Sequence, residues 1–161
     1  MLQIKFRIFS FIGILVCLIS SHAFAKDSIQ PTSNGLIKIK SPHSVEKTIN
    51  RLETAVLDKG MTIFKRINHT AGAEKAGMQL RPTELLIFGN PKVGTPLMLC
   101  SQTAALDLPQ KALAYKDENG QVWLVYNEPA YMAKRHHIQG CDAAVQKVTN
   151  ALANFSRIAT E

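Results

Sequence analysis

Acidic side chains are scarce in this sequence: 12 Asp and Glu stand against 19 Lys and Arg, and charged residues make up only 19% of the 161. A charge content below the usual quarter, beside 46% apolar residues, excludes a disordered tail or a long coiled coil and describes a globular chain. No repeat period stands out, which excludes a solenoid or propeller. Cysteine is nearly absent, at three residues, so there is no metal-finger spacing. No Gly-x-Ser-x-Gly elbow occurs, and neither cysteine beyond the first forty residues sits in a nucleophile signature. Long apolar runs are missing as well, apart from one near the start, and that run falls short of the roughly 20 residues a spanning helix needs.

That single run organises the first segment. Met1 to Ala25 has no acidic residue, carries Lys5 and Arg7 near its start, continues through Ile8 to Ile19 as an apolar core, and ends in Ala23-Phe24-Ala25. A basic start, a short apolar core and a small-x-small triplet predict a secretory signal peptide over residues 1–25, cleaved after Ala25, and a periplasmic protein without a membrane span after its removal. A lipidated Cys17 is disfavoured because bulky Val16 precedes it. Removing 25 residues and their two basic side chains from 161 residues at +7 leaves 136 residues at +5. A chain of that size forms one domain and buries roughly two thirds of its unfolded surface. The basic residues are scattered, and an exported protein meets little nucleic acid, so no nucleic-acid partner is expected.

Residues 26–35 read as a flexible lead-in, and 36–161 as the domain. Leu36-Ile37-Lys38-Ile39-Lys40 alternates as a half-exposed strand. Val45, Ile49, Leu52, Ala55 and Val56 recur at helical spacing, closed by Gly60. Met61 to Asn68 reads as a second strand, with Met61, Ile63 and Ile67 opposed to Phe64, Arg66 and Asn68, and a short small-residue helix around Ala71, Ala73 and Ala76 follows. Glu84 to Phe88 has no polar alternation after its first residue and predicts a central strand covered on both faces. Gln110–Lys116 and Gln121–Asn127 flank Asp117-Glu118-Asn119-Gly120, where Asn-Gly supplies the positive φ angles of a tight hairpin. A last helix runs from about Asp142 to Arg157. The order is β-α-β-β-β-β-α with short inserted helices, an α+β fold whose curved, mainly antiparallel sheet carries two long helices on one face.

From Leu80 to His136 the chain carries Arg81-Pro82-Thr83, then Leu86-Ile87-Phe88-Gly89-Asn90-Pro91-Lys92-Val93-Gly94-Thr95-Pro96-Leu97-Met98, then Asp107-Leu108-Pro109, Trp123, Tyr126-Asn127, Tyr131 and Arg135-His136. Together these resemble domain of unknown function family 302. The likeness extends less sharply upstream through Ser41-Pro42-His43-Ser44 and Ile67-Asn68-His69. It implies a small homodimeric α+β domain with a curved antiparallel sheet, and it points to fold far more than to any activity.

The chemistry must come from the residues. Gly89 to Thr95 follows a strand and invites comparison with a phosphate-cradling loop, but Thr95 follows Gly94 directly with no intervening Lys, and Pro91 and Pro96 lack amide hydrogens. A structural reading fits better: Pro91 sets a turn, Gly94 relaxes it, Thr95 caps a short helix and Pro96 occupies its first position. His136-His137 cannot serve one metal site, since consecutive side chains diverge, and no cofactor or metal is expected. Cys100 and Cys141 either pair, closing a loop worth about 4 kcal/mol by the chain-entropy model, or remain two separate thiols. Trp123 and Val125 lie on one hairpin face and Val122, Leu124 and Tyr126 on the other, so both faces are apolar and one wants a partner, which agrees with a homodimer. The leading expectation is a non-enzymatic exported binding module whose pocket gathers Asn90, Thr95, Tyr126, Asn127, Arg135 and His136 around a small polar or anionic ligand. Its alternative is an acid-base enzyme, a hydrolase or isomerase, using His136 with Asp107. The bland reading pairs Arg135 with Asp107 in a structural ion pair.

Overall fold

A computed structural model describes residues 30–161; the expected signal peptide lies outside the described residues. The first pairing already departs from the sequence reading. Within the segment expected to be a flexible lead-in, Gln30–Pro31 forms a short strand β1, which pairs with Lys38 and Ile37 of β2 (Leu36–Ser41). A turn joins them, with the Thr32 amide donating to the Leu36 carbonyl and Gly35 at φ +75°. Gly35 admits no side chain, because a Cβ there would fall inside the Tyr131 ring.

Helix α1 (Val45–Leu57) follows, capped by the Ser44 hydroxyl, which accepts from the Lys47 amide. The expected stripe is the buried one: Ile49, Leu52, Ala55 and Val56 are almost wholly shielded, each large side chain contributing about 1.5–3 kcal/mol by burial. Strand β3 (Thr62–Asn68) corrects the expected facing. A bulge at Phe64 shifts its register against β4 (Thr83–Gly89), so Ile63 stands opposite Phe88 and Arg66 opposite Leu86, on one face, while Ile67 stands opposite Leu85 on the other. Asn68 then caps the short helix α2 (His69–Lys75).

The segment after β4 also differs from the expected turn and cap. Helix α3 (Pro91–Cys100) starts four residues before Thr95, because Asn90 accepts from the Lys92 amide and Pro91, needing no amide partner, takes the first helical position. Thr95 and Pro96 therefore sit inside the helix. A 3-10 turn (Gln102–Leu106) leads to β5 (Gln110–Lys116) and β6 (Val122–Asn127). Their hairpin is as expected in position, but only Gly120 takes a positive φ, at +81°. The loop is a five-residue one held by Asp117, whose Oδ1 accepts from the amides of Asn119 and Gln121. Helices α4 (Pro129–Arg135) and α5 (Asp142–Thr160) complete the chain.

The sheet has the order β1-β2-β6-β5-β4-β3 with every neighbouring pair antiparallel. Helices α1 and α5 pack against each other and on the same sheet face, where Leu86, Phe88, Ala112, Ala114, Leu124 and Tyr126 meet them. Phe88 and Phe155 make an edge-to-face pair at 6.3 Å. On this face Glu84 is buried but not bare: Arg66 reaches it with Nε at 2.6 Å and Nη2 at 3.1 Å, which raises the guanidinium pKa. Strand β4 is next to the β3 edge rather than central, and its residues Leu85 and Ile87 are half-buried on the face away from α1 and α5. Its unbroken apolar run reflects two apolar faces, one of which packs under α1 and α5.

Candidate functional site

Two constructions share the corner where α3, the 3-10 turn, α4 and the start of α5 meet. The first is a cavity of about 270 Å³ beside α3. Its wall is apolar, from Met61, Val93, Leu97, Met98, Leu108 and Pro109, with Val148 of α5 as part of the floor. Asn90, Thr95 and Gln110 supply the polar side chains at its lining. Asn90 is fixed in place on both sides, since its Oδ1 caps α3 and its Nδ2 donates to the Gly60 carbonyl at 3.0 Å. Phe64, the bulge residue of β3 and 52% exposed, also lines it. A cavity so lined suits an apolar body with one or two polar groups better than a bare anion.

The second is a buried polar cluster around His136, which is 7% exposed at the end of α4. Its Nε2 lies 2.6 Å from Asp107 Oδ2, and its Nδ1 lies 3.1 Å from the Thr103 hydroxyl. Ser101 Oγ is 3.0 Å from that same hydroxyl, and Arg135 Nη1 stands 3.5 Å from Asp107 Oδ2. A neutral imidazole satisfies both contacts by donating from Nε2 to the carboxylate and accepting from Thr103; an imidazolium donates to both. Either way both ring nitrogens are engaged, and the imidazole joins the 3-10 turn to α4. His137, next in sequence, turns away into solvent with φ +52°. A disulfide between Cys100, the last residue of α3, and Cys141, at the start of α5, ties the corner from its other side, with Cα atoms 6.5 Å apart.

The six residues expected to form one pocket thus occupy four places. Asn90 and Thr95 line the cavity. Arg135 and His136 belong to the Asp107 cluster. Tyr126 points into the helix-covered core, 6% exposed, where its hydroxyl meets the Ser156 side chain and burial pushes its pKa up, while Asn127 pairs with Leu36 at the end of β6. The reason is strand alternation: residues 126 and 127 face opposite sides of the sheet and neither faces the corner. Thr103 was missed, and no local signal marks it, since it meets a histidine 33 residues away. Phe64, Leu108 and Pro109 were missed as lining residues because only the bulge and the strand entry bring them together.

A single α+β domain, an antiparallel sheet with two long helices on one face and a stapled corner, is the class that this geometry defines. The chain belongs to the family described as Domain of unknown function DUF302, whose match runs over residues 37–155. A crystal structure of an uncharacterized conserved DUF302 protein from Bacillus stearothermophilus superposes with a TM-score of 0.70 over 78% of this chain and 98% of that one, at 17% identity, which shows the shared fold. Two curated relatives are 43% identical over 127 residues, 78% of this chain: Fluoride-specific ion channel FluC 1 of Brucella suis biovar 1 and FluC 1 of Brucella abortus biovar 1. The chain spans about half the length of these relatives, 50% of the first and 47% of the second.

Proposed function

We propose that the protein is an exported, non-enzymatic binding module whose ligand seat is the cavity beside α3. The observation that carries the reading is that cavity itself, about 270 Å³ of apolar wall with Asn90, Thr95 and Gln110 at its lining. The ligand class is a small molecule with an apolar body and a polar or anionic group directed at those three side chains. The leader-like segment supports export. Leu99 and Leu106, 82% and 73% exposed beside the cavity, favour a second copy of the chain at this corner. Among the described residues no helix is long and apolar enough to cross a membrane.

The test uses the dye 1-anilinonaphthalene-8-sulfonate, an aromatic body with one anionic group. It is expected to bind one molecule per chain, and Gly94→Leu is expected to abolish binding. Gly94 lines the cavity, and a Cβ there meets only Leu108 at an ordinary 3.6 Å, so the longer side chain fills the space. Replacing a helical glycine by leucine also raises helix propensity, so the melting temperature holds or rises. Unchanged dye binding by the folded variant contradicts the assignment.

A second reading, acid-base catalysis by His136 with Asp107, is favoured by their 2.6 Å contact. It requires Thr103 to release Nδ1 to a substrate. Without that movement the cluster is a brace between two elements.

A further inference from the structure

The sheet face opposite α1 and α5 carries basic and apolar side chains from five strands. Strand alternation sets Lys38 and Lys40 of β2, Trp123 and Val125 of β6, Lys111, Leu113 and Tyr115 of β5, Leu85 and Ile87 of β4, and Lys65 and Ile67 of β3 on this side. The registers align them in rows. Val125, Leu113, Leu85 and Ile67 form an apolar stripe across four strands, with Lys38 at its end, and the flanking rows carry Lys40, Trp123 and Tyr115 on one side and Lys111 and Lys65 on the other.

The charge on this face has one sign. Four lysines stand among the outward strand positions and no acidic residue does; Glu84 points the other way, into its pair with Arg66. Two of the lysines lie over the ring systems, with the Lys38 ammonium 4.0 Å from the Trp123 ring centre and Lys40 5.7 Å from it, while the Lys111 ammonium donates to the Asp107 and Pro109 carbonyls, each at 2.9 Å. Lysine stems cover apolar surface, and Val125, paired with Lys38 across the strands, is 7% exposed. The Trp123 indole N–H is turned to the rim, where it donates to Asp117 Oδ2 at 2.7 Å and holds that carboxylate below its ordinary pKa range.

We propose that this face docks on an anionic lipid surface. A second copy docked face to face brings lysines against lysines and is opposed by their repulsion. A specific phosphate or carboxylate is gripped best by the bidentate arginine fork, and no outward strand position carries arginine. Lysines are compact point charges suited to a diffuse negative field, and Lys38, Lys40 and Lys65 at the margins of the aliphatic, Trp and Tyr side chains match the boundary between headgroups and acyl chains. The face spans five strands, about 20 Å, enough to meet many headgroups at once. This proposal does not rest on the cavity reading, and the two fail separately.

Trp123, the sole tryptophan of the chain, lies within the face and reports on docking directly. Protein purified after export is titrated with vesicles of phosphatidylcholine alone or with 30% phosphatidylglycerol. Blue-shifted Trp123 fluorescence and co-sedimentation are expected with the anionic vesicles only, weakening as salt rises. Lys40 and Lys65 are exposed, and the double variant Lys40→Gln, Lys65→Gln is expected to bind about 25-fold more weakly, from about fivefold per lysine. Lys47 and Lys147 are exposed on α1 and α5, and Lys47→Gln with Lys147→Gln is expected to leave binding unchanged. Equal binding to neutral vesicles, no binding to anionic ones, or equal loss in both double variants overturns the proposal. So does a wild-type dimer that Lys40→Glu with Lys65→Glu converts to monomers, since that makes the face a protein interface.

Discussion

The helix-covered side of the sheet and the α3 corner are built by different physics within one small domain. On the sheet side, stability comes from area: Ile49, Val56, Leu86, Phe88 and Leu124 are fully shielded, and the polar exceptions are paired, as Glu84 is with Arg66 and Ser41 with Thr48. In the corner, α3 buries only Leu97 and the 3-10 turn only Ala104, while Leu99 and Leu106 stand in solvent. What holds the corner is a short inventory of directed bonds: the Asn90 cap, the Cys100–Cys141 disulfide and the His136 cluster. An apolar core tolerates no large cavity, whereas a corner fastened by bonds can keep one open. The place to seek a ligand is therefore the less densely packed half.

The largest expected effect breaks the sheet side. Phe88→Ala removes a fully buried ring from its edge-to-face contact with Phe155 and should cost about 3–5 kcal/mol, read as a lowered urea midpoint with an unchanged slope. A loss below 1 kcal/mol would mean that the packing there is loose. A smaller effect sharpens the corner's side of the comparison. Asp107→Asn keeps the shape of a side chain that is 14% exposed but weakens its contacts with His136 and Arg135, at a cost of about 1.5–3 kcal/mol. If it acts as a brace, dye binding at the cavity should weaken along with stability. A melting temperature equal to that of the wild type would remove the brace from the account.

The two regions were also unequally legible in the sequence. The stripe of α1 and the β5–β6 hairpin could be read because their signals are local: helical spacing, strand alternation and Gly120. The α+β class and the sequence of elements followed from those. The bulge at Phe64 was not legible, because inserting one residue into a strand needs no special residue type, yet it decides which way Ile63, Arg66 and Ile67 face. In the corner the pairings of His136 and Arg135 with Asp107 could be named from the sequence, and the Cys100–Cys141 bond was one of two alternatives. Not legible were Thr103, which meets His136 across 33 residues, and the separation of Asn90 and Thr95 from that cluster. Tyr126 and Asn127 were drawn into the wrong group by nearness in sequence, although alternation alone sends them to opposite faces.

Native-state hydrogen exchange on the wild-type protein tests most directly whether the corner is fastened separately onto a rigid sheet. The account predicts that amides of α3 and the 3-10 turn exchange by a local opening, at lower free energy and with little dependence on urea, while amides of β4, β5 and β6 exchange only on global unfolding, with the full denaturant slope. Exchange of both sets at one free energy and one slope would contradict it, and would make the corner part of the same cooperative unit as the core.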